Sequence, residues 1–239
     1  MSTVSIPQKS NASFSSLLSE AREAYVAGHP NSRAAYERAS RSLPGGNTRS
    51  VLHFSPFPFY VERSDGCHIW DIDGHKVVDY LCEYTAGLLG HRNPEIRAAI
   101  DKALARGWVN GAQHEIDGFP SVERVRFCNS GTEANLLSLT TARVVTGRSA
   151  IMAFRGGYHG GVLLFKDGPS AQNAPFETIM ADYNDIEGTR KLIVSNADKL
   201  AAVILEPMLG SSGCVPAQVA FLQMLRDECS KHGTLLIFD

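Results

Sequence analysis

From residue 122 onward, apolar runs of strand length alternate with segments of helical periodicity, and nothing else in the sequence constrains the fold as much. The runs at 122–128, 150–154, 200–205 and 234–238 read as strands. Between them, 133–146, 185–195 and 217–232 place apolar residues three or four positions apart, as a helix with one buried face requires. This alternation predicts an α/β fold, a mostly parallel sheet with flanking helices. In such sheets ligands gather beyond the carboxyl ends of the strands, where the strand order reverses. Those ends carry Asn129-Ser130-Gly131, Arg155-Gly156-Gly157-Tyr158-His159, Glu206-Pro207 and Asp239.

The earlier part of the chain reads differently. Residues 13–41 have helical spacing interrupted at Gly28-His29-Pro30-Asn31, which predicts a helical arm broken in the middle. Three strand-like runs follow, at 59–63, 67–71 and 76–80, joined by the turns Ser64-Asp65-Gly66 and Asp73-Gly74, as in a small antiparallel sheet. A further amphipathic helix is expected over 94–106, with Pro94 in its first turn. The expected division is therefore an N-terminal arm with small strands over 1–90 and a ligand-binding α/β domain over 91–239.

Composition excludes several classes. With 44% apolar residues and a formal net charge of −2, the chain can bury a core and offers no basic footprint for nucleic acid or an anionic membrane. Its five cysteines are scattered without a C-x-x-C pair, which suits buried thiols in a reducing compartment, so a cytoplasmic location is expected. The first nineteen residues are rich in serine but lack arginine and an apolar core, so no targeting role is expected of them. No metal site is expected either, because His114-Glu115 has Gly118 where a zincin helix needs its second histidine. Phosphate-loop, dinucleotide and nucleophile-elbow motifs are absent.

Each strand end has a bland reading and a chemical one. Ser130-Gly131-Thr132-Glu133 is a capping box, and it is equally a helix N-terminus whose free N–H groups can receive a phosphate. Asp239, after the apolar Leu235-Leu236-Ile237-Phe238, is either a turn acid or a carboxylate aimed at a protonated ring nitrogen. Tyr158-His159, flanked by Gly156, Gly157, Gly160 and Gly161, is ordinary packing or a ring laid flat over a ligand. Glu206-Pro207 ends a strand or lines a site, and Arg49 is an exposed surface residue or a bidentate partner for a substrate carboxylate.

Taken together and in order, these motifs resemble the class III pyridoxal-phosphate aminotransferases, most closely the branch that resembles glutamate-1-semialdehyde aminomutase. The motifs are Pro44-Gly45-Gly46, Trp70-Asp71-Ile72-Asp73-Gly74, Leu89-Gly90-His91, Asn129-Ser130-Gly131-Thr132-Glu133-Ala134, Tyr158-His159-Gly160, Glu206-Pro207 and Ile237-Phe238-Asp239. Many ω-amino-acid aminotransferases of the family carry a second glutamate five residues after the first; here that position is Ser211, as suits the aminomutase branch.

The resemblance implies a fold-type I large domain, incomplete in this chain, and pyridoxal 5'-phosphate as cofactor. Ser130, Gly131 and Thr132 would hold its phosphate, Tyr158 would stack on its ring with His159 beside it, and Glu206 would lie near ring and substrate. Asp239 would meet the pyridine nitrogen, and Arg49 would take a substrate carboxylate. The resemblance further implies a homodimer, a small-molecule amino donor and a carbonyl acceptor. It places the Schiff-base lysine beyond Asp239, so that this stretch alone is expected to be inactive. A non-catalytic cofactor-binding or interaction protein of the same fold is the alternative. A helix usual in the family is expected to be shortened at 111–119.

Overall fold

The computed structural model describes residues 13–84, 86–107 and 123–239. The chain divides into two compact units, Met1–Glu115 and Ile116–Asp239. Three sequence expectations, the shortened segment at 111–119, the His114-Glu115 pair and the first residue of the 122–128 run, fall outside the described residues.

In the first unit, α1 (Phe14–Gly28) and α2 (Pro30–Ala39) meet at His29, where Pro30 opens the second helix. The antiparallel meander β1 (Val61–Asp65), β2 (His68–Asp71) and β3 (Lys76–Val78) follows, then α3 (Pro94–Leu104), capped by Asn93. The β2–β3 turn supplies the missing cap of α2. Asp73 Oδ1 accepts from Asn31 N at 2.7 Å, and Oδ2 accepts from Ser32 N at 3.0 Å and Ser32 Oγ at 2.6 Å. These bonds satisfy donors that a helix N-terminus cannot satisfy itself.

The second unit contains α4 (Gly131–Thr146), β4 (Ala150–Phe154), β5 (Gly157–Tyr158), β6 (Leu164–Phe165), β7 (Glu177–Ala181), α5 (Ile186–Ser195), β8 (Leu200–Leu205), β9 (Met208–Leu209), β10 (Val215–Pro216), α6 (Val219–His232) and β11 (Leu235–Phe238). The main sheet has the order β11-β8-β4-β7 with all pairs parallel. Every residue of β4 and β8 is buried, so this sheet is covered on both faces.

Alternate residues feed two cores. Met152, Phe154, Val203 and Leu205 pack with Ile193 of α5 and Phe221 and Leu225 of α6. Ile151, Ala153, Ala202 and Ile204 pack with Leu139 and Ala142 of α4 and with Leu163 and Phe165. The result is three layers, with α5 and α6 below the sheet and α4 and the β5–β6 hairpin above.

Among the departures from the sequence expectation, two concern the parallel sheet. Residues 124–128 form no strand: they have no ladder partner among the described residues, and Val125 and Phe127 are 46% and 63% exposed. An apolar alternation without a neighbouring strand gains neither hydrogen bonds nor burial. Conversely, β7 was not expected, because Glu177-Thr178 open it and it lies at a sheet edge, only partly buried.

Arg148 joins the helix ends to the sheet. Its guanidinium donates to Leu200 O at 3.1 Å, Gly233 O at 3.2 Å and His232 O at 2.9 Å, holding the C-terminus of α6 against the start of β8. Arg148→Ala removes these charge-assisted bonds to His232 O and Gly233 O, while Leu200 O keeps Thr234 Oγ1 at 3.2 Å. The expected loss is about 2 to 3 kcal/mol of unfolding free energy, measured by urea denaturation.

Candidate functional site

The chain leaves β4 toward β7 on one side and leaves β8 toward β11 on the other, so the carboxyl ends of β4 and β8 flank the point where the strand order reverses. Glu206 spans it. Its Oε1 accepts from Tyr158 N at 3.0 Å and its Oε2 from Gly210 N at 2.9 Å, while its carbonyl accepts from the Tyr183 hydroxyl at 2.7 Å. Burial, and secondarily the charge of Glu206, raise the pKa of Tyr183, so its hydroxyl stays a donor. Glu206 thus fixes the loops after both central strands, with each carboxylate oxygen already engaged by backbone. Ser212 Oγ adds a bond to Gly156 O at 2.7 Å.

At one wall stands the N-terminus of α4. Ser130 Oγ accepts from Glu133 N at 3.2 Å, and the Glu133 carboxylate reaches back one residue further than in the usual box, accepting from Asn129 N at 2.8 Å. The cap uses the amide of Glu133 and leaves those of Gly131 and Thr132 without an intrahelical acceptor. A Cβ built on Gly131 meets nothing within 4 Å, so the helix end is open beside that residue. Thr132 Oγ1 accepts from Gly161 N at 3.3 Å and touches the glycine loop, where a Cβ on Gly160 would fall 2.2 Å from it.

The opposite wall is Asp239, whose N–H donates to Leu205 O at 3.0 Å. His159 Nδ1 lies 2.7 Å from Asp239 Oδ2 and donates to it. Asn135 Nδ2 bonds His159 O at 3.0 Å, tying α4 to the same loop. Burial pushes the Asp239 pKa up, but hydrogen bonds from His159 and Asn135 and the charge of His159 outweigh it, and the net shift is downward. Asp239 is therefore held as a carboxylate. His159 is 2% exposed and its Nε2 is buried without a partner.

Ser130, Gly131, Thr132, Tyr158, His159, Glu206 and Asp239 all belong to the second unit, and the bonds above link the loops and strand ends that carry them. Arg49 belongs to the first unit, where it is exposed just before a 3₁₀ turn. Sequence reasoning missed Asn135, whose signal was a polar residue on the buried face of α4. It also missed that His159 serves Asp239, a pairing between distant residues that no local pattern reports.

A helix N-terminus with free amides and an ionised carboxylate held by His159, both tied to the loop after β4, suit a phosphorylated, nitrogen-containing ring. Comparison with known proteins agrees. The sequence model of the family "Aminotransferase class-III" matches residues 52–239, and this chain belongs to that family of pyridoxal-phosphate-dependent enzymes. It is 42% identical over 239 residues to beta-phenylalanine transaminase of Variovorax paradoxus, covering 96% of this chain and 55% of that protein. The crystal structure of the beta-phenylalanine aminotransferase from that organism superposes with a TM-score of 0.88 at 43% identity, over 93% of this chain and 54% of the other. Glutamate-1-semialdehyde 2,1-aminomutase of Hyperthermus butylicus is 38% identical over 232 residues, 87% of this chain and 54% of that enzyme. A solved transaminase with PLP bound matches at 31% identity and a TM-score of 0.78, over 88% of this chain and 55% of its own. The chain spans about half the length of the curated relatives it matches.

Pyridoxal phosphate is the cofactor that this membership indicates, and the residues described fit it. Gly131 and Thr132 keep their amides free of intrahelical acceptors at the α4 N-terminus, and Asp239 offers an ionised carboxylate set in place by His159.

Proposed function

We propose that the protein of which these residues form part is a pyridoxal-phosphate-dependent aminotransferase or aminomutase acting on a small amino acid or amino-aldehyde. The observation that carries this reading is the His159–Asp239 pair, tied through the 159–161 loop to the first turns of α4. When bound, the cofactor supplies an electron sink for the charge left as a proton departs beside the amino group. The chain's own residues do the rest. Ser130, Gly131 and Thr132 bind the phosphate through the hydroxyl-capped helix end. Asp239 holds a proton at the ring nitrogen, and His159 keeps Asp239 ionised and oriented. Tyr158 covers a ring face, and Glu206 positions Tyr158 through its backbone. Arg49 takes the substrate carboxylate.

Beta-phenylalanine and glutamate-1-semialdehyde are the donors to try first, by likeness to the relatives at 42% and 38% identity. A homodimer is part of the proposal, supported by large apolar side chains left exposed, such as Tyr80 at 91%, Leu88 at 81% and Phe127 at 63%. So is a cytoplasmic location. Among the described residues no helix is long and apolar enough to cross a membrane.

By themselves, residues 1–239 are proposed to bind the cofactor without turnover. Among the described residues of the site none is a lysine, and Lys199 is paired with Glu177 at the opposite end of the sheet, 2.7 Å away. The test is borohydride reduction of the purified 239-residue polypeptide with pyridoxal phosphate, followed by peptide mass analysis. Saturable cofactor binding with no single pyridoxyl-lysine is expected. A stoichiometric adduct at one lysine, accompanied by transamination, would show that a substitute lysine operates. Absence of saturable binding would favour the non-catalytic interaction protein.

A further inference from the structure

We propose that His29, Asp71 and His75 form a binding site for one divalent cation of the zinc type, clasping the α1–α2 elbow to the β2–β3 turn. The three side chains offer ligand atoms that all lie within 4.8 Å of one another. They come from two separate elements, so no sequence spacing announces them.

The convergence of the three side chains points to a cation. His29 Nδ1 lies 2.7 Å from Tyr25 O, and a carbonyl only accepts, so Nδ1 carries the hydrogen. In the neutral ring Nε2 is then a bare lone pair, and it faces Asp71 Oδ2 at 3.3 Å. Nε2 and Oδ2 thus converge on one point, which a proton or a metal ion can occupy, and the third ligand atom beside them is what suits a metal. An N–H to backbone carbonyl behind a bare Nε2 is also how metal-binding histidines are oriented.

The carboxylate is prepared in the same way. Asp71 is buried, its side chain 5% exposed, and its Oδ1 accepts from Asp73 N at 3.0 Å and His75 N at 2.8 Å, which turns Oδ2 toward both rings. With bonds of about 2.0 to 2.2 Å, tetrahedral zinc sets its ligands roughly 3.3 Å apart, the separation found for His29 and Asp71.

His75 Nδ1 now donates to Asp71 Oδ2 at 2.8 Å. Coordination shifts that proton to Nε2 and widens the gap by roughly half an ångström. His75 has room to do this, since its side chain is 45% exposed, and water would reach the fourth position from that side. The Tyr25 ring stacked on His29, centroids 4.1 Å apart, fixes the third ligand.

The experiment is titration of Co²⁺ into chelator-treated protein, watched by visible absorption, with Zn²⁺ as competitor. One equivalent giving intense tetrahedral bands without thiolate charge transfer, displaced by Zn²⁺, is expected. His75→Ala, a change at a half-exposed turn that circular dichroism can check for folding, should weaken binding by more than about 100-fold. Zn²⁺ should raise the Tm of the wild type and not of that variant. Absence of tetrahedral bands at millimolar Co²⁺, bands with thiolate character, or equal affinity in wild type and His75→Ala would each overturn the proposal.

Discussion

Asp239→Asn is expected to weaken pyridoxal phosphate binding by about one to two orders of magnitude while leaving the fold intact. A hydrogen bond to a charged group contributes about 1.5 to 3 kcal/mol, and each 1.4 kcal/mol is tenfold in Kd. Asparagine keeps the volume and an oxygen for His159 Nδ1, so only the charge offered to the ring nitrogen is lost. Equilibrium dialysis measures the effect, and wild-type affinity in the variant would remove Asp239 from the site.

Asp239→Ala should behave differently. It leaves the His159 Nδ1–H buried without an acceptor, beside an Nε2 that already lacks a partner, and should lose a further 1 to 3 kcal/mol or so of stability. The pH dependence follows from the lowered pKa of Asp239. Its contribution is fully present above the ordinary carboxylate value of about 3.9 and is lost as pH falls through the lower folded value. Asp239→Asn should therefore flatten the acid limb of the stability profile below pH ~4.

Gly160→Ala should collapse the phosphate end of the site. Gly160 has φ +124°, a region that L side chains rarely adopt, and the added methyl would sit 2.2 Å from Thr132 Oγ1 and 2.8 Å from Thr132 Cα. The second contact is with backbone in the first turn of α4 and cannot be relieved by a rotamer change. Backbone strain and overpacking together are expected to cost roughly 2 to 6 kcal/mol in urea unfolding, with cofactor binding lost. Gly161→Ala is the control, since a Cβ there meets nothing within 4 Å, and its effect should stay within about 0.5 kcal/mol. Equal effects at the two positions would show that the close approach of loop and helix is not what shapes the cradle.

The parts legible in the sequence were those written in local chemistry. β4 and β8 stood out because strands buried on both faces are apolar throughout, and α4 because its apolar spacing starts just after the Ser130 cap. The elbow at His29 was marked by Gly28 and Pro30. β7 was not legible, since an edge strand with one partner tolerates Glu177 and Thr178. The 122–128 run misled for the converse reason: alternation describes a strand's faces, not its neighbours. In the candidate site, motif order named the loops, but the roles of Glu206 as a brace and His159 as the partner of Asp239 depend on which strands lie side by side. That is decided by packing over the whole sheet.

The strand order also carries an instruction about when the domain can form. β4 is synthesised first, yet it lies inside the sheet between β7 and β8, and its first residue, Ala150, pairs with Leu200. On a ribosome its five wholly buried residues must wait for β8 to emerge. β7 alone can shield only one edge in the interval. A wholly apolar strand is thus the one left longest half-paired, and a nascent chain paused before residue 200 would present it to chaperones or to another copy of itself.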